Sequence, residues 1–212
     1  MTKYPVLIAG LLLALFAVSG TSLVAFTYDQ TAERIAANER EALLKNLSAL
    51  VPADSIDNDI VSDFITIADK DRLGGEHIQV YRGRKADQPV AAVFTTTVPD
   101  GYSGPIKLLV AVNADYTLGG VRVISHKETP GLGDKIEEER SDWIFGFKGK
   151  SLKNPDISKW KVKRDGGDFD QFTGATITPR SIVQAVKNTL LYYKDNSRSL
   201  FAPAPVNVAS TQ

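Results

Sequence analysis

Between Pro5 and Phe26 no residue carries a charge, and these roughly 22 positions, at about 1.5 Å of helical rise each, reach across the hydrocarbon core of a bilayer. The stretch reads as a retained membrane anchor. A cleaved signal peptide is the competing reading, but its apolar section normally runs only about 7–15 residues and ends in a small-x-small site. Lys3 precedes the stretch and Asp29 follows it, which by the positive-inside rule leaves the amino terminus in the cytoplasm and the remainder on the periplasmic side. Arg34 and Arg40, further along, blunt that charge argument.

The chain as a whole is balanced, with 25 Lys and Arg against 25 Asp and Glu, so it shows no basic footprint for nucleic acid. The absence of cysteine excludes disulfides, thiolate nucleophiles, the usual iron–sulfur clusters and c-type haem attachment. Redox work would need a bound organic cofactor or another metal. His77 and His126 stand alone without metal-binding spacing, so no metal site is expected. Arg82, Arg84 and Lys85 around Gly83 read as a solvated turn. Lys159, Lys161, Lys163 and Arg164 alternate with Trp160 and Val162, as in an edge strand whose charges face water. A docking patch for a partner is the other reading of those charges.

Thr31 to Leu50 interleaves Ile35, Ala42, Leu43, Leu47 and Leu50 with charged residues, the pattern of an amphipathic helix that Pro52 ends. Strand-like runs at Phe64–Ile67, His77–Arg82, Val90–Thr97, Ile106–Asn113 and Gly120–Ile124, joined by short turns, predict an antiparallel sheet. Asp134–Phe147 predicts a helix with an acidic outer side, and Trp160–Val162 a brief return to the sheet. A closing helix from Pro179 presents Ile182, Val183, Val186, Leu190 and Tyr193 at helical spacing. The expected architecture is α+β: a transmembrane helix within 1–28, an amphipathic connecting helix over 29–52, and one domain over 53–200 of mostly antiparallel sheet packed by helices. Residues 201–212 lack periodicity and read as a mobile tail.

One loop offers chemistry. Asp170-Gln171-Phe172-Thr173-Gly174-Ala175-Thr176 runs into Thr178-Pro179, read as an N-cap hydroxyl followed by a proline at the first helical position. Orphan N–H groups and partial positive charge at such a helix start favour a phosphate near Thr176, while Gly174 admits close backbone approach and Ala175 adds little bulk. By spacing alone, an ordinary turn before a capped helix explains the same residues. In a second loop, His126-Lys127-Glu128-Thr129-Pro130-Gly131-Leu132-Gly133, Pro130 limits the backbone and the glycines leave it uncovered. Main-chain N–H groups there suit the polar edge of a planar ligand, with Leu132 against its face. A Pro-Gly turn between strand and helix accounts for that loop equally.

The first loop resembles the flavinylation motif Asp-x-x-(Ser/Thr)-Gly-Ala-(Thr/Ser) of the FMN-binding domain family, and the second resembles that family's loop beside the flavin ring. The two motifs, their order and the anchor together resemble the G-subunit family of the Rnf, or Rsx, ion-translocating electron-transport complexes over nearly the whole chain. The C-type subunit of the sodium-translocating NADH:quinone reductase is the alternative within the same domain family. The resemblance implies FMN joined covalently through a phosphoester to Thr176 by a flavin transferase that splits FAD, with Asp170 and Thr173 helping recognition of the motif. It implies that Gly174, Ala175, Glu128, Thr129, Gly131 and Leu132 complete the flavin site, with Lys127 an electrostatic aid to the reduced ring and Glu128 an opposing charge.

By the same resemblance the partners are the other members of the Rnf/Rsx complex and the bilayer, and the location is the bacterial inner membrane with the domain in the periplasm. The chain is then a redox carrier, not a self-sufficient catalyst. Threonine is a poor nucleophile and the sequence places no base beside Thr176, so self-attachment is not expected. A membrane-anchored assembly or sensing module without redox chemistry is the rival from another class. A hydrolase using Thr176 lacks an assignable His/Asp partner.

Overall fold

The computed structural model describes residues 4–202, which divide after Leu43 into two units. Helix α1, Pro5–Leu50, contains the first unit, where every large apolar side chain from Val6 to Phe26 is exposed. That is the surface expected of a helix that crosses a membrane. Among the described residues it is the one helix long and apolar enough to cross a membrane. Thr27 and Thr31 donate to the carbonyls of Leu23 and Thr27 at 2.8 Å, and the helix continues through its polar stretch. Ile35 stays exposed, and the inward positions of α1 are Leu47 and Leu50, which belong to the second unit.

The second unit is built on five antiparallel strands in chain order, β1 (Phe64–Asp69), β2 (Gly75–Lys85), β3 (Gln88–Val98), β4 (Ile106–Asn113) and β5 (Leu118–Ser125). A four-residue helix, α2 (Lys70–Leu73), joins β1 to β2, and α3 (Ile177–Leu200) closes the unit. The α+β expectation therefore holds. Alternation along β3 and β4 turns Ala92, Phe94, Leu108, Val110 and Val112 toward Ile182, Val183, Val186, Leu190 and Tyr193 of α3. The rings of Tyr192 and Tyr193 meet Phe94 edge-on at 6.0 and 6.2 Å. One polar pair lies inside this layer, Thr96 with Thr189 at 3.2 Å, and Thr189 also donates to the Ala185 carbonyl, so burial leaves neither hydroxyl unpaired.

Val93, Leu109 and Ala111 face the other way and are buried too. The end of α1 and the residues after it approach this side so closely that a Cβ on Gly120 would fall 2.9 Å from Leu50 Cδ2. The core under α3 continues into an aromatic group: Phe147 lies 5.2 Å from Trp143 and 5.0 Å from Phe169, and Trp160 lies 4.9 Å from Phe169.

Three local readings of the sequence are corrected. Asp134–Phe147 is two 3₁₀ turns, Gly133–Ile136 and Asp142–Phe147, because the Ser141 hydroxyl donates to the Lys135 carbonyl and accepts from the Trp143 N–H, capping the second turn. Trp160–Val162 does not rejoin the sheet; Val162 bridges to Phe169, with Trp160 and Val162 inward and the flanking lysines outward. Arg82 and Arg84 are no solvated turn. They lie in β2, share the Asp63 carboxylate and donate to the carbonyls of Leu200 and Phe201, where the negative end of α3 needs donors. Phe201 packs under Arg84, and residues 203–212, most of the segment read as a tail, lie outside the described residues.

Burial, followed by the nearby Tyr116 and Asp115, pushes the Tyr193 hydroxyl up to about 12 from an ordinary 10.0. The fold holds that proton more tightly than the unfolded chain does, so its contribution is complete below pH 10 and is lost as pH rises to about 12. Alkaline unfolding followed by circular dichroism is expected in that window, and Tyr193→Phe is expected to move its midpoint to higher pH. An unchanged midpoint would remove Tyr193 from the explanation.

Candidate functional site

Helix α3 starts at Ile177, so Thr176, not Thr178, holds the N-cap position, and its hydroxyl makes no capping bond to the helix. Thr178 is instead buried in the first turn, where its hydroxyl donates to Glu128 Oε2. The carboxylate is the stronger acceptor, and it draws Thr178 inward. Thr176 is left half-buried at the positive end of a 24-residue helix.

Glu128 is only 5% exposed. Its Oε1 accepts the Ser103 N–H at 3.0 Å, and its own N–H donates to His126 Nδ1 at 3.0 Å, so one residue fastens the 101–104 loop and the 126–133 loop to α3. Gly133 has no room for a side chain: a Cβ there would fall 2.7 Å from Glu128 Oε2. Around this junction lies a cleft of about 260 Å³, with Glu128, Thr129 and Leu132 on one wall and Gly174, Ala175 and Thr176 on the other. The two sequence motifs, about 45 residues apart, therefore form one site. Gly174 turns with φ +82°, and a Cβ on it would press on Leu132 at 3.3 Å.

Tyr102 and Ile177 also wall the cleft, and neither was expected there. They are 67% and 45% exposed, and with Leu132 at 42% they give the cleft an apolar rim. A Tyr in a Gly/Ser turn far from either motif carried no signal; Ile177, an apolar residue between two threonines, was the one available hint. Gly131, Thr173 and Asp170 do not line the cleft. Two of the backbone donors expected in the 128–133 loop, those of Leu132 and Gly133, are spent on the Thr129 carbonyl at 3.1 Å each. Lys127 is exposed.

The 170–176 loop is held from behind. Trp143 Nε1 donates to the Asp170 carbonyl at 2.8 Å, the Arg164 N–H reaches the Gln171 side chain at 3.2 Å, and Lys163 pairs with the Asp170 carboxylate at 2.6 Å. Phe172 meets the Trp143 ring at 5.2 Å. Arg180, one turn into α3, takes both oxygens of Asp165, and this bond holds the Asp165 carboxyl below the usual range. A larger hollow of about 640 Å³ lies between β5 and the 137–144 segment, away from the threonines of either motif. Polar side chains lining it bond to one another, Arg122 with Glu138 at 3.0 Å and His126 with Glu137 at 2.7 Å, which makes it a poorer candidate for a ligand.

Residues 101–191 match the model of the FMN-binding domain, a span that contains every wall of the cleft, and residues 1–50 match the model of the RnfG N-terminal region. The G subunit of the ion-translocating oxidoreductase complex of Pseudoalteromonas atlantica is 50% identical over 194 residues, covering 91% of this chain and 90% of the relative. The proteins of the same name from Shewanella oneidensis and Aliivibrio fischeri are each 44% identical, covering 96% and 91% of this chain and 96% and 92% of their own.

Trp143→Phe removes one hydrogen bond and keeps most of the ring packing, at a cost of about 1 kcal/mol confined to the loop it supports. Amides of Asp170–Thr176 are expected to exchange with deuterium roughly fivefold faster, with strands β3 and β4 unaffected. Equal exchange in the loop would show that the indole bond does not hold it.

Proposed function

The chain belongs to the G-subunit family of ion-translocating oxidoreductase complexes, and we propose that it carries electrons there through FMN esterified to Thr176. The observation that carries this reading is the uncapped Thr176 hydroxyl, set at a helix start on the rim of a cleft that both motifs build. The residues fit the group. N–H groups of the first turn of α3, including those of Ile177 and Thr178, suit a phosphate, and the apolar rim of Tyr102, Leu132 and Ile177 suits a planar ring. A cleft of about 260 Å³ takes part of such a cofactor and leaves the rest at the surface, as a carrier that meets partners requires.

Bound FMN supplies reversible acceptance of one or two electrons. The chain supplies position: the ester fixes the phosphate end, Gly174 and Ala175 keep the approach to Thr176 open, and Glu128 holds the three wall segments together. Among the described residues the hydrogen bonds of Glu128 and His126 go elsewhere than the Thr176 hydroxyl, which supports attachment by a separate flavin transferase. Asp170 and Thr173, both exposed and off the cleft, are the residues of the loop that such an enzyme would read. The apolar helix and its flanking charges support a single-pass anchor in the bacterial inner membrane with the domain on the periplasmic side, beside the lipid and the other members of the complex.

Thr176→Ala is expected to fold with stability unchanged within about 0.5 kcal/mol, since a half-buried hydroxyl with no capping bond is removed. Its denatured gel band is expected to lose flavin fluorescence, and Thr176→Ser to keep it. Fluorescence retained by the alanine variant contradicts the assignment. Electron transfer retained in membranes that contain the flavin-free variant would favour the assembly-module reading.

A further inference from the structure

A second cleft, of about 500 Å³, lies beside the later turns of α3, and none of its lining residues lines the cleft at Thr176. Leu190, on its wall, follows Thr176 by 14 residues, roughly 21 Å at helical rise. The two clefts are separate. Leu152 and Leu190 give this one an apolar lining, and Tyr116 and Ile157, each 45% exposed, carry that lining to the surface. Lys153 and Lys194 line it too, both exposed, and among the described residues neither forms a salt bridge. Asp115 is the carboxylate of the lining, but its Oδ1 accepts the Thr117 N–H at 3.0 Å and the Thr117 hydroxyl at 2.6 Å, within its own turn. The uncommitted charge of the cleft is therefore positive.

The geometry points to this cleft as the docking surface for another subunit of the ion-translocating complex, one that fills it with an apolar side chain flanked by carboxylates. Membership of the G-subunit family supplies the need for such a partner, so the inference does not rest on flavin at Thr176. Charge complementarity sets the partner's chemistry, because two unpaired ammonium groups beside an apolar hollow attract an acidic segment and leave room for its apolar residue. A bilayer is a poorer occupant. Apolar groups that project enter a lipid surface, whereas a hollow is filled only by something that projects into it. Tyr116 supports the same reading, since it sits at φ +68°, a left-handed conformation that Gly or Asn adopts at lower cost. The turn nevertheless holds a bulky ring, fixed by an edge-on contact with Tyr193 at 5.5 Å and by its hydroxyl 3.3 Å from Ser197. Strain kept in this way at a surface gives the cleft a rigid aromatic wall, the kind of group that anchors protein interfaces.

The test puts the photoreactive residue p-benzoylphenylalanine in place of Ile157 in the full-length chain, irradiates the host membranes and identifies by mass spectrometry what has been joined. A crosslink to another subunit of the complex, within a peptide that contains Asp or Glu, is expected. Reversing both charges, Lys153→Glu with Lys194→Glu, is expected to lower the crosslink yield about tenfold through like-charge repulsion, with the melting temperature of the chain unchanged. Should that double variant fail to fold, Lys153→Gln with Lys194→Gln removes the charges alone and is expected to lower the yield about threefold. Crosslinks to lipid or to no member of the complex overturn the inference, and so does a subunit crosslink whose yield the charge changes leave in place. The proposed function fails on a different result, since parent protein without flavin would still give the crosslink.

Discussion

The hydrogen bond from Thr178 to Glu128 is the constraint on which the site depends. It draws a threonine of the first α3 turn into the interior, and by doing so leaves Thr176 at the N-cap with its hydroxyl uncommitted to the helix. The same carboxylate anchors the 101–104 loop through Ser103. Three segments that the chain separates by 25 and 50 residues are thereby fixed around one cleft. Behind them, α3 is held over β3 and β4 by apolar packing, and the carbonyls at its other end are gripped by Arg82 and Arg84.

The strands were legible because each is a run of mainly apolar and β-branched residues bounded by turn residues, and all five sit within a few residues of those runs. Helix α1 was legible as pattern but not as continuity: nothing in the composition near Tyr28 shows whether the helix breaks between its apolar and polar stretches, and it runs on unbroken with Thr27 and Thr31 bonded back to the carbonyls of Leu23 and Thr27. The segment from Asp134 misled because its apolar residues have helical spacing, whereas a single hydroxyl, Ser141, interrupts the backbone ladder. Arg82 and Arg84 misled for another reason. Charges beside a glycine look solvated until a distant acid and a distant helix end arrive to bind them.

At the site, the loops that touch the cleft could be read locally, and their junction could not. Thr178-Pro179 has the sequence of a cap and a first helical residue; the tertiary acceptor Glu128 overrides that preference, and the helix begins earlier. The consequence for function is direct, since a capping hydroxyl is occupied and an uncapped one is open to modification. An ester at that oxygen also answers a retention problem, because a dissociable flavin is lost wherever its free concentration falls below its dissociation constant.

The most direct measurement is the intact mass of the protein isolated from its native membranes, with fragmentation of the peptide that contains Thr176. One FMN joined through its phosphate, less one water, and located on Thr176 is the expected result. An unmodified Thr176 peptide, in membranes whose electron transport still drives ion movement, would contradict the account.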